Sequence, residues 1–506
     1  MTDTQKNKTI NIVSLIILLL GNLLFFLTIW LLRKYDRIYI DQVIYQLKTS
    51  AAGAAGDIMS SAYIHVGLFG TVTTAIEVFL YNFFSGKLKD KIKSPKYQKY
   101  CLKSICKSIR QSALKLASIM LIFSILLFTF ELKVVSYIGL STSESDFIKK
   151  NYVSPNDVTL TFPKQKRNLV YIFLESMENT FADTKAGGMI VDNFIPEISN
   201  LAKQNTNFGG ALSYTGTTWT AAAMVAQTSG IVVKVPLSAE NYGGEDAYIP
   251  GVITLGEILQ KEGYNQTLLL GSDAAFAGRD TYFTEHGNYK IVDINSLKED
   301  GRLPKDYREW WGYEDSKLFE FAKQELANLA KDSKPFNFTM LTADTHFPNG
   351  YLCEKCENKY EQQYANVLAC SSKQVYDFVN WIKNQPFYDN TTIIISGDHL
   401  TMDPDFLEDI DNTYIRTVYG CIINSPKTNT HGSARKYGAF DMFPTTLSAL
   451  GVDIEGSRLG LGVDLYSSEK TLSEKYGYEA LDEELQKKSL FYNTQFLKME
   501  EKTVQN

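Results

Sequence analysis

Three long apolar segments, all before residue 135, constrain this 506-residue chain more than any other feature. The first, residues 10–32, has no charged residue, and a helix of that length spans a hydrocarbon core about 30 Å thick. The other two are residues 62–84 and 114–131. A cleavable signal peptide has a shorter apolar region followed by a small-residue cleavage site, which the first segment lacks. The sequence therefore predicts a membrane domain, residues 1–132, with three transmembrane helices.

The loop between the second and third segments predicts the orientation. Residues 87–115 include ten basic residues and one acidic residue. Because basic loops remain on the cytoplasmic side, we expect the N-terminus inside and everything after the third helix outside. The basic residues of segment 33–37 would then lie outside, against the same rule. The loop 87–115 has more basic residues, so we expect it to decide the orientation. The expected location is the plasma membrane, crossed several times, with an extracytoplasmic soluble part.

Charge excludes one class of function. The chain has 51 Lys and Arg residues against 57 Asp and Glu residues, a net charge of −6. A protein that mainly binds nucleic acid needs a basic excess to neutralise phosphates, so we expect no nucleic-acid partner. Within the second apolar segment, Glu77 is expected to pair with a polar group of a neighbouring helix. A functional intramembrane site is the alternative.

The rest of the chain has the pattern of an α/β domain. Short apolar runs alternate with helix-like segments at 257–262, 316–331 and 361–384. The apolar runs are residues 169–174, 265–271, 336–341 and 391–395. Uninterrupted apolar runs are typical of buried parallel strands, and the alternation predicts a mostly parallel sheet between helices. We expect a tether at 133–165, this domain at 166–465 and a helical tail at 466–506 that includes Leu481, Leu485 and Phe496.

Polar side chains follow several of the predicted strands, where open parallel sheets place their chemistry. Glu175 follows the first run, His346 follows the third, and Asp398 and His399 follow the fourth. Carboxylates and imidazoles bind hard or borderline divalent cations. Gly397 is expected to break the pleat, so that both adjacent residues can reach one ion. The Gly-Asp-His motif therefore predicts a metal site.

A candidate nucleophile precedes an alanine-rich helix. Thr217, Thr218 and Thr220 lie directly before or at the start of residues 221–226, which favour a helix opening. A hydroxyl there faces unpaired backbone N–H groups, an environment that suits a phosphate or an alkoxide. The alternative is that these threonines only cap the helix, and we expect one of the three to do so.

Four cysteines would lie outside the membrane, where disulfides can form. They are Cys353, Cys356, Cys370 and Cys421. The Cys353-x-x-Cys356 spacing also occurs in zinc sites, but no second cysteine pair or histidine pair completes four ligands. A disulfide that steadies the loop after His346 is the expectation, with its pairing left open.

Taken in order, the motifs of this chain resemble a known family. They are Leu174-Glu175-Ser176, Gly216–Thr220, Gly278-Arg279-Asp280, Trp311–Asp315, Asp344–Pro348, Gly397-Asp398-His399 and Phe440–Pro444. Together they resemble the membrane-anchored phosphoglycerol transferases of the lipoteichoic acid synthase type. The likeness covers about residues 166–465 and leans toward the branch of phosphoglycerol transferase I, which decorates periplasmic glucans.

The resemblance implies an alkaline-phosphatase/sulfatase-like domain that uses a divalent cation, Mn²⁺ or Mg²⁺, with Zn²⁺ as an alternative. It implies Thr220 as nucleophile and metal ligand, with Glu175, Asp398 and His399 completing the metal site. Arg279 and His346 match groups that hold the phosphoglycerol unit. His346 is also the expected proton donor, and His431 is a further candidate for substrate binding.

The implied reaction moves phosphoglycerol from phosphatidylglycerol to a glycan or teichoic-type polymer through a covalent threonine intermediate. Two features depart from the synthases: Ala277 replaces a tryptophan two places before Arg279, and three membrane helices replace five. A phosphoethanolamine transferase would share the fold, but the paired cysteines that usually bracket its threonine motif are missing between residues 107 and 352. A sulfatase-like hydrolase would need a Cys/Ser-x-Pro-x-Arg motif, which we do not find. A membrane-tethered binding protein would be expected to have lost a ligand residue, and none is lost.

Overall fold

The computed structural model describes residues 3–35, 38, 40–49, 56–91, 98–236, 247–403, 405–408, 410–411 and 413–498. Of residues 3–10, 56–58, 85–91 and 98–111 only the backbone is described, so most basic side chains of the loop 87–115, with Cys101 and Cys106, lie outside the described part. The chain forms two compact units: Met1–Ile40 with Ala55–Ile138, and Asp41–Ala54 with Gly139–Asn506.

The first unit contains the three predicted apolar helices. The segments Asn11–Lys34, Met59–Phe84 and Ser112–Glu131 are long and apolar enough to cross a membrane, which confirms the prediction with shifts of up to three residues. Glu77 pairs as expected, because Asn22 of the first helix donates to its Oε2 over 2.7 Å. Asn22 also donates to Thr74 Oγ1 over 2.9 Å, so the hydrogen bonds of Asn22 connect the first two apolar helices.

The helices of the described chain are numbered here in order. They are α1 Asp3–Lys34, α2 Ile40–Lys48, α3 Gly56–Ala62, α4 Phe69–Lys91, α5 Gln98–Glu131, α6 Val134–Thr142, α7 Phe147–Asn151, α8 Pro196–Gln204, α9 Thr220–Ser229, α10 Leu255–Lys261, α11 Arg279–Glu285, α12 Ile294–Glu299, α13 Asp315–Leu329, α14 Gln363–Lys383, α15 Met442–Ala449, α16 Leu472–Tyr476 and α17 Tyr478–Gln486. The strands are β1 Leu160–Thr161, β2 Asn168–Leu174, β3 Asn265–Leu270, β4 Lys290–Val292, β5 Phe336–Leu341, β6 Thr391–Gly397, β7 Gly420–Ile423, β8 Asp453–Ile454, β9 Arg458–Leu459 and β10 Gly462–Val463.

A six-stranded sheet organises the second unit, in the order β4-β3-β5-β2-β6-β7. Its strands pair in parallel except β7, which runs antiparallel to β6. Every residue of β2, β5 and β6 is buried, as expected for central strands covered on both faces. The predicted parallel α/β sheet is therefore confirmed.

The two faces of β2 bind different layers of helices. Val170, Ile172 and Leu174 belong to the apolar core that also contains side chains of α8, α13 and α14. On the other face Tyr171 donates to Gln227 of α9 over 2.7 Å. Because side chains alternate along a strand, one uninterrupted apolar run holds helices on both sides.

The segment expected to be a tether is folded. Residues 133–165 form α6, α7 and β1, and β1 pairs antiparallel with β8. Phe147 and Ile148 are buried, so their apolar side chains fix a stretch whose polar composition suggested a linker. In the tail, Leu481 and Leu485 lie on α17, whereas Phe496 lies in a separate helical turn, Tyr492–Phe496.

Candidate active site at the carboxyl edge of the sheet

The candidate residues follow four neighbouring strands. Arg279 comes after β3, His346 after β5, Glu175 after β2, and Asp398 with His399 after β6. These strands are adjacent in the order β3-β5-β2-β6. Parallel strands end at the same edge of a sheet, so the topology brings residues far apart in sequence to one place.

Glu175 is held by the loop that carries His346. Its backbone N–H donates to Thr342 Oγ1 over 3.0 Å, and its carbonyl accepts from Thr345 Oγ1 over 2.6 Å. Ser176 donates to Glu175 Oε1 over 2.7 Å, and Ser176 has a φ of 53°. The chain thus turns sharply after β2, and the carboxylate is fixed at the strand end.

The Asp398 carboxylate is satisfied on one oxygen only. Its Oδ1 accepts from the backbone N–H groups of Ser176 and His399 over 2.8 and 2.7 Å. Its Oδ2 is buried and has no hydrogen-bond partner in the described part of the chain. A buried unsatisfied oxygen is costly, which indicates that Oδ2 is reserved for a ligand.

His399 directs one nitrogen at the carboxylates. Its Nδ1 lies 2.8 Å from the Leu400 carbonyl, which makes Nδ1 the protonated nitrogen of a neutral ring. Its Nε2 lies 3.5 Å from Glu175 Oε1 and 3.5 Å from Asp398 Oδ2. A carbonyl that orients the imidazole in this way is the usual partner of a metal-binding histidine.

These residues fit a divalent cation. Glu175, Asp398 and His399 each offer a ligand atom within 4.8 Å of the others, and all three are buried. Two buried carboxylates that converge on one ring nitrogen repel each other unless a cation compensates their charge. The predicted metal ligands are thus together, and the oxygen and nitrogen donor set suits Mn²⁺, Mg²⁺ or Zn²⁺.

The pKa values reflect the same crowding. Burial raises the pKa of Asp398 to about 7, and the Glu175 carboxylate adds to the rise. Burial also tends to raise the pKa of Glu175, but the nearby imidazoles of His346 and His399 and the hydrogen bond from Ser176 act together to lower it below its usual value. For His399, burial lowers the pKa and the two carboxylates raise it, with a net rise.

Thr220 is the first residue of α9 and faces the metal site. Its Oγ1 donates to Glu175 Oε2 over 3.2 Å and lies 3.4 Å from His399 Nε2. Gln227 fixes the helix, since it accepts from Tyr171 and donates to the Gly397 carbonyl over 3.1 Å. The first N–H groups of a helix have no partner within it, so they are available to an anion beside Thr220.

The expectation that one threonine caps α9 is wrong. The residue at the cap position is Trp219, and no side chain caps the helix. Thr217 instead closes a turn, donating to the Tyr214 carbonyl over 2.8 Å. Thr218 Oγ1 and Trp219 Nε1 are buried without hydrogen-bond partners among the described residues. Two unpaired polar atoms next to Thr220 indicate a site for a polar ligand.

Arg279 is buried near the metal site. Its Nη2 donates to Ser272 Oγ and the Asp273 carbonyl over 3.1 and 2.7 Å, and its Nε donates to the Phe276 carbonyl over 3.0 Å. Burial lowers the pKa of Arg279, and the charge of Glu175 partly offsets this. A buried guanidinium that interacts electrostatically with Glu175 can bind an anionic group.

The two candidate histidines lie in different surroundings. The ring of His346 packs 4.5 Å from Trp311 and 4.8 Å from Phe347, and its charge acts on Glu175. The backbone N–H of His431 donates to Asn429. Among the described residues, His431 makes no hydrogen bond or ion pair with the metal-site side chains. His346 thus interacts with a metal-site residue, and the role of His431 stays a prediction.

Gly397 is required for a different reason than expected. It is the last residue of β6, and its backbone N–H donates to the Tyr419 carbonyl over 2.8 Å. Gly397 therefore continues the strand and does not break its pleat. A Cβ at this position would lie 2.0 Å from the Met177 carbonyl oxygen. The glycine permits the close approach of the turn that follows β2.

The contribution of α2 was not predicted, although its apolar residues have the spacing of a helix. This helix lies between the first two apolar helices in sequence, yet from Asp41 onward it belongs to the second unit. Tyr45 is fully buried, and its hydroxyl donates to the Ala277 carbonyl over 2.7 Å. Its ring lies 5.2 Å from that of Trp219. Tyr45 therefore contacts the residue before Thr220 and the segment before Arg279.

Two curated relatives share the name phosphoglycerol transferase I. Phosphoglycerol transferase I of Salmonella choleraesuis strain SC-B67 is 31% identical over 322 residues, which are 62% of this chain and 41% of that protein. Phosphoglycerol transferase I of Escherichia fergusonii is 30% identical over 308 residues, 60% of this chain and 39% of that protein. The chain thus matches about two fifths of the length of these curated relatives.

One solved structure shares the fold. The lipoteichoic acid synthase LtaP from Listeria monocytogenes superposes with a TM-score of 0.50 at 18% sequence identity, covering 63% of this chain and 80% of that one. This confirms the expected fold class. The sulfatase family profile matches residues 167–452, which are more than half of the chain and contain the whole candidate site. The chain belongs to the sulfatase family.

Proposed function

We propose that this protein is a metal-dependent phosphotransferase that moves phosphoglycerol from phosphatidylglycerol to an extracytoplasmic glycan or teichoic-type acceptor. The observation that carries the proposal is the position of Thr220. Its hydroxyl lies at a helix N-terminus, 3.2 Å from Glu175 and 3.4 Å from His399. Similarity to phosphoglycerol transferase I at 31% identity supports the choice of transferred group.

In the proposed first step, Thr220 Oγ1 forms a bond to phosphorus and the bond from phosphorus to the diacylglycerol oxygen breaks. The hydroxyl proton has an acceptor within reach in Glu175 Oε2. A divalent cation held by Glu175, Asp398 and His399 would lower the pKa of a hydroxyl beside it and neutralise phosphate charge. The second step repeats the displacement with an acceptor hydroxyl and frees Thr220.

Two groups stabilise the phosphate in this proposal. The unpaired N–H groups at the start of α9 face the position beside Thr220 where a phosphate oxygen would lie. Arg279 supplies a buried positive charge, which interacts electrostatically with Glu175. Both are fixed before substrate arrives, which is the condition for electrostatic stabilisation of developing charge.

His346 is the proposed proton donor to the departing diacylglycerol oxygen. Its Nδ1 lies 2.6 Å from the Phe347 carbonyl, which leaves Nε2 as the nitrogen that can exchange a proton with substrate. Trp311 and Phe347 pack against the ring and hold its orientation. His431 is retained as a candidate contact to the acceptor.

The location of the domain outside the membrane is part of the proposal. With three spans, the segment 41–54 and the residues after the third span lie on the same side of the membrane. The assignment of Asp41–Ala54 to the second unit supports this count. The basic loop 87–115 supports the outer side for the domain. A diacyl lipid remains in its leaflet, so an enzyme that uses it benefits from a membrane anchor.

The donor lipid provides the test. Purified protein in detergent with Mn²⁺ is expected to release diacylglycerol from phosphatidylglycerol and to leave phosphatidylethanolamine intact, while Thr220→Ala releases none. Release from phosphatidylethanolamine alone would move the protein to the phosphoethanolamine transferases with the same site. Release from neither lipid, with turnover of a sulfate ester, would indicate a hydrolase instead.

A further inference from the structure

Three cysteines of the second unit form a compact cluster apart from the Glu175 site. Cys353 and Cys356 lie in the loop after β5, and Cys370 lies in the second turn of α14. Their sulfur atoms all lie within 4.8 Å of one another. Cys353 Sγ lies 3.6 Å from Cys356 Sγ and 3.8 Å from Cys370 Sγ. The sequence showed only the Cys-x-x-Cys pair, because nothing in a single sequence connects Cys370 to it.

The geometry does not select a disulfide pair. All four described cysteines are free, and Cys353 is about equally distant from two partners. A disulfide between any two of these cysteines would leave the third as an unpaired thiol in a mostly buried cluster. Four-coordinate zinc has Zn–S bonds of about 2.3 Å, which places neighbouring sulfur ligands about 3.8 Å apart. The two sulfur–sulfur separations, 3.6 and 3.8 Å, match that spacing.

A tight turn holds the first two cysteines side by side. The Cys356 backbone N–H donates to the Cys353 carbonyl over 3.0 Å, which closes the Cys353-x-x-Cys356 segment and brings the two sulfur atoms to 3.6 Å. Such a turn is the usual geometry of two cysteine ligands of one zinc ion.

Gln374 adds an independent observation. It lies one turn after Cys370 on α14, is about nine-tenths buried, and donates through Nε2 to Cys370 Sγ over 3.4 Å. The same nitrogen lies 3.8 Å from Cys353 Sγ. Its Oε1 has no hydrogen-bond partner within the described ranges. A polar side chain buried beside three sulfurs with one end unpaired indicates a cluster that is incomplete without a ligand.

We propose that Cys353, Cys356 and Cys370 bind one zinc ion as thiolates, with water in the fourth position. Cys356 is only partly buried, so solvent can reach that position. Binding releases the three thiol protons and requires no oxidant. The ion would join the loop that follows His346 to α14, and so fix the loop without taking part in the reaction. This site is independent of the proposed function, because its ligands differ from those at Glu175.

Cobalt substitution tests the proposal on the full chain. Protein purified in detergent under reducing conditions, stripped of metal and titrated with Co²⁺ is expected to develop near-ultraviolet sulfur-to-cobalt charge-transfer absorption. Oxygen and nitrogen ligands at the Glu175 site cannot produce that band. Zn²⁺ is expected to displace Co²⁺ and remove the band, at a stoichiometry of one per chain.

Variants identify the ligands. Cys356→Ser and Cys370→Ser are expected to lose most of the band, whereas Cys421→Ser, a buried cysteine on β7, keeps it. The wild-type spectrum decides whether the site exists even if a variant fails to fold. Absence of the band in folded wild-type protein would overturn the proposal. So would a disulfide between two of the three cysteines, found by peptide mapping of protein alkylated directly in its membranes.

Discussion

At the scale of single residues, the site depends on buried acceptors that point at one another. Asp398 Oδ2 has no donor among the residues that the structure describes, and His399 Nε2 lies 3.5 Å from an oxygen of each of two carboxylates. Such a cluster destabilises the folded chain until a cation binds. A ligand that binds only the folded state adds RT ln(1 + [L]/Kd) to its stability. Metal binding and folding are therefore linked at this site.

The first prediction follows from that linkage. Mn²⁺ at about 100 times its Kd is expected to stabilise the wild-type protein by about 2.7 kcal/mol, and a chelator is expected to reverse the shift. Asp398→Asn should lose most of the shift, because it removes a charged ligand. Thermal unfolding followed by circular dichroism measures both. An equal shift in Asp398→Asn would contradict the metal assignment, and Cys356→Ser is the control that should respond like wild type.

The second prediction concerns Thr220. Since Trp219, not Thr220, lies at the helix cap, Thr220→Ala should change the free energy of unfolding by about 1 kcal/mol or less, the worth of one hydrogen bond. Turnover should nevertheless fall by orders of magnitude, because the covalent route is lost. Thr220→Ser should keep measurable activity. Thr217→Ala, which removes two hydrogen bonds to the Tyr214 backbone but keeps the Thr220 hydroxyl, is the control in diacylglycerol release assays.

Most of the site was predictable at this scale, for a definite reason. Strand-end carboxylates and the Gly-Asp-His motif are local patterns, and the topology of parallel strands brings them together. The cap and the role of Gly397 were not predictable. They depend on which backbone groups approach from elsewhere: Gly397 is needed because the Met177 carbonyl packs against it.

At the scale of elements, tight backbone contacts hold the site. The third prediction tests one of them: Gly397→Ala forces a Cβ to within 2.0 Å of the Met177 oxygen, and overpacking of this kind typically costs about 1–3 kcal/mol. Gly139→Ala in α6, where no described atom beyond its own helix backbone lies within 4 Å of an added Cβ, should instead stabilise the fold by about 0.5–1 kcal/mol. Chemical denaturation measures both, and equal effects would refute the packing argument.

Helix α2 provides the fourth prediction. Tyr45→Phe removes the hydroxyl that the Ala277 carbonyl and Tyr248 share. Leaving a buried acceptor unpaired costs about 1–3 kcal/mol. Because Ala277 lies two residues before Arg279, activity should fall as well. Tyr476→Phe, at a half-exposed tyrosine, is the control. If both variants have the unfolding free energy and the activity of the wild type, α2 has no role in the site.

The sheet and its main helices follow from the apolar runs, whereas α2 and the folded segment 133–165 do not. The apolar residues of α2 do have helical spacing, but the side chains that α2 buries are Asp41, Gln42 and Tyr45, a face that this pattern does not predict. In 133–165, two buried side chains, Phe147 and Ile148, outweigh a polar composition. Tertiary contacts decide such short elements.

At the scale of the whole molecule, the proposed location requires the residues before the first apolar helix and those after the third to lie on opposite sides of the membrane. The fifth prediction uses single cysteines in a background without native ones. Ser141→Cys should react with an impermeant thiol reagent in intact cells, and Ser94→Cys should react only after the membrane is opened. The reverse pattern would place the site inside the cell and refute the proposed location.

The central claim is that Thr220 carries the transferred group, and a mass measurement tests it most directly. Protein mixed briefly with phosphatidylglycerol and Mn²⁺ without acceptor, then denatured and digested, should show the peptide containing Thr220 heavier by one phosphoglycerol unit. Fragmentation should place the added mass on Thr220, and Thr220→Ala should show none. An adduct on another residue, or full activity in Thr220→Ala, would contradict the account.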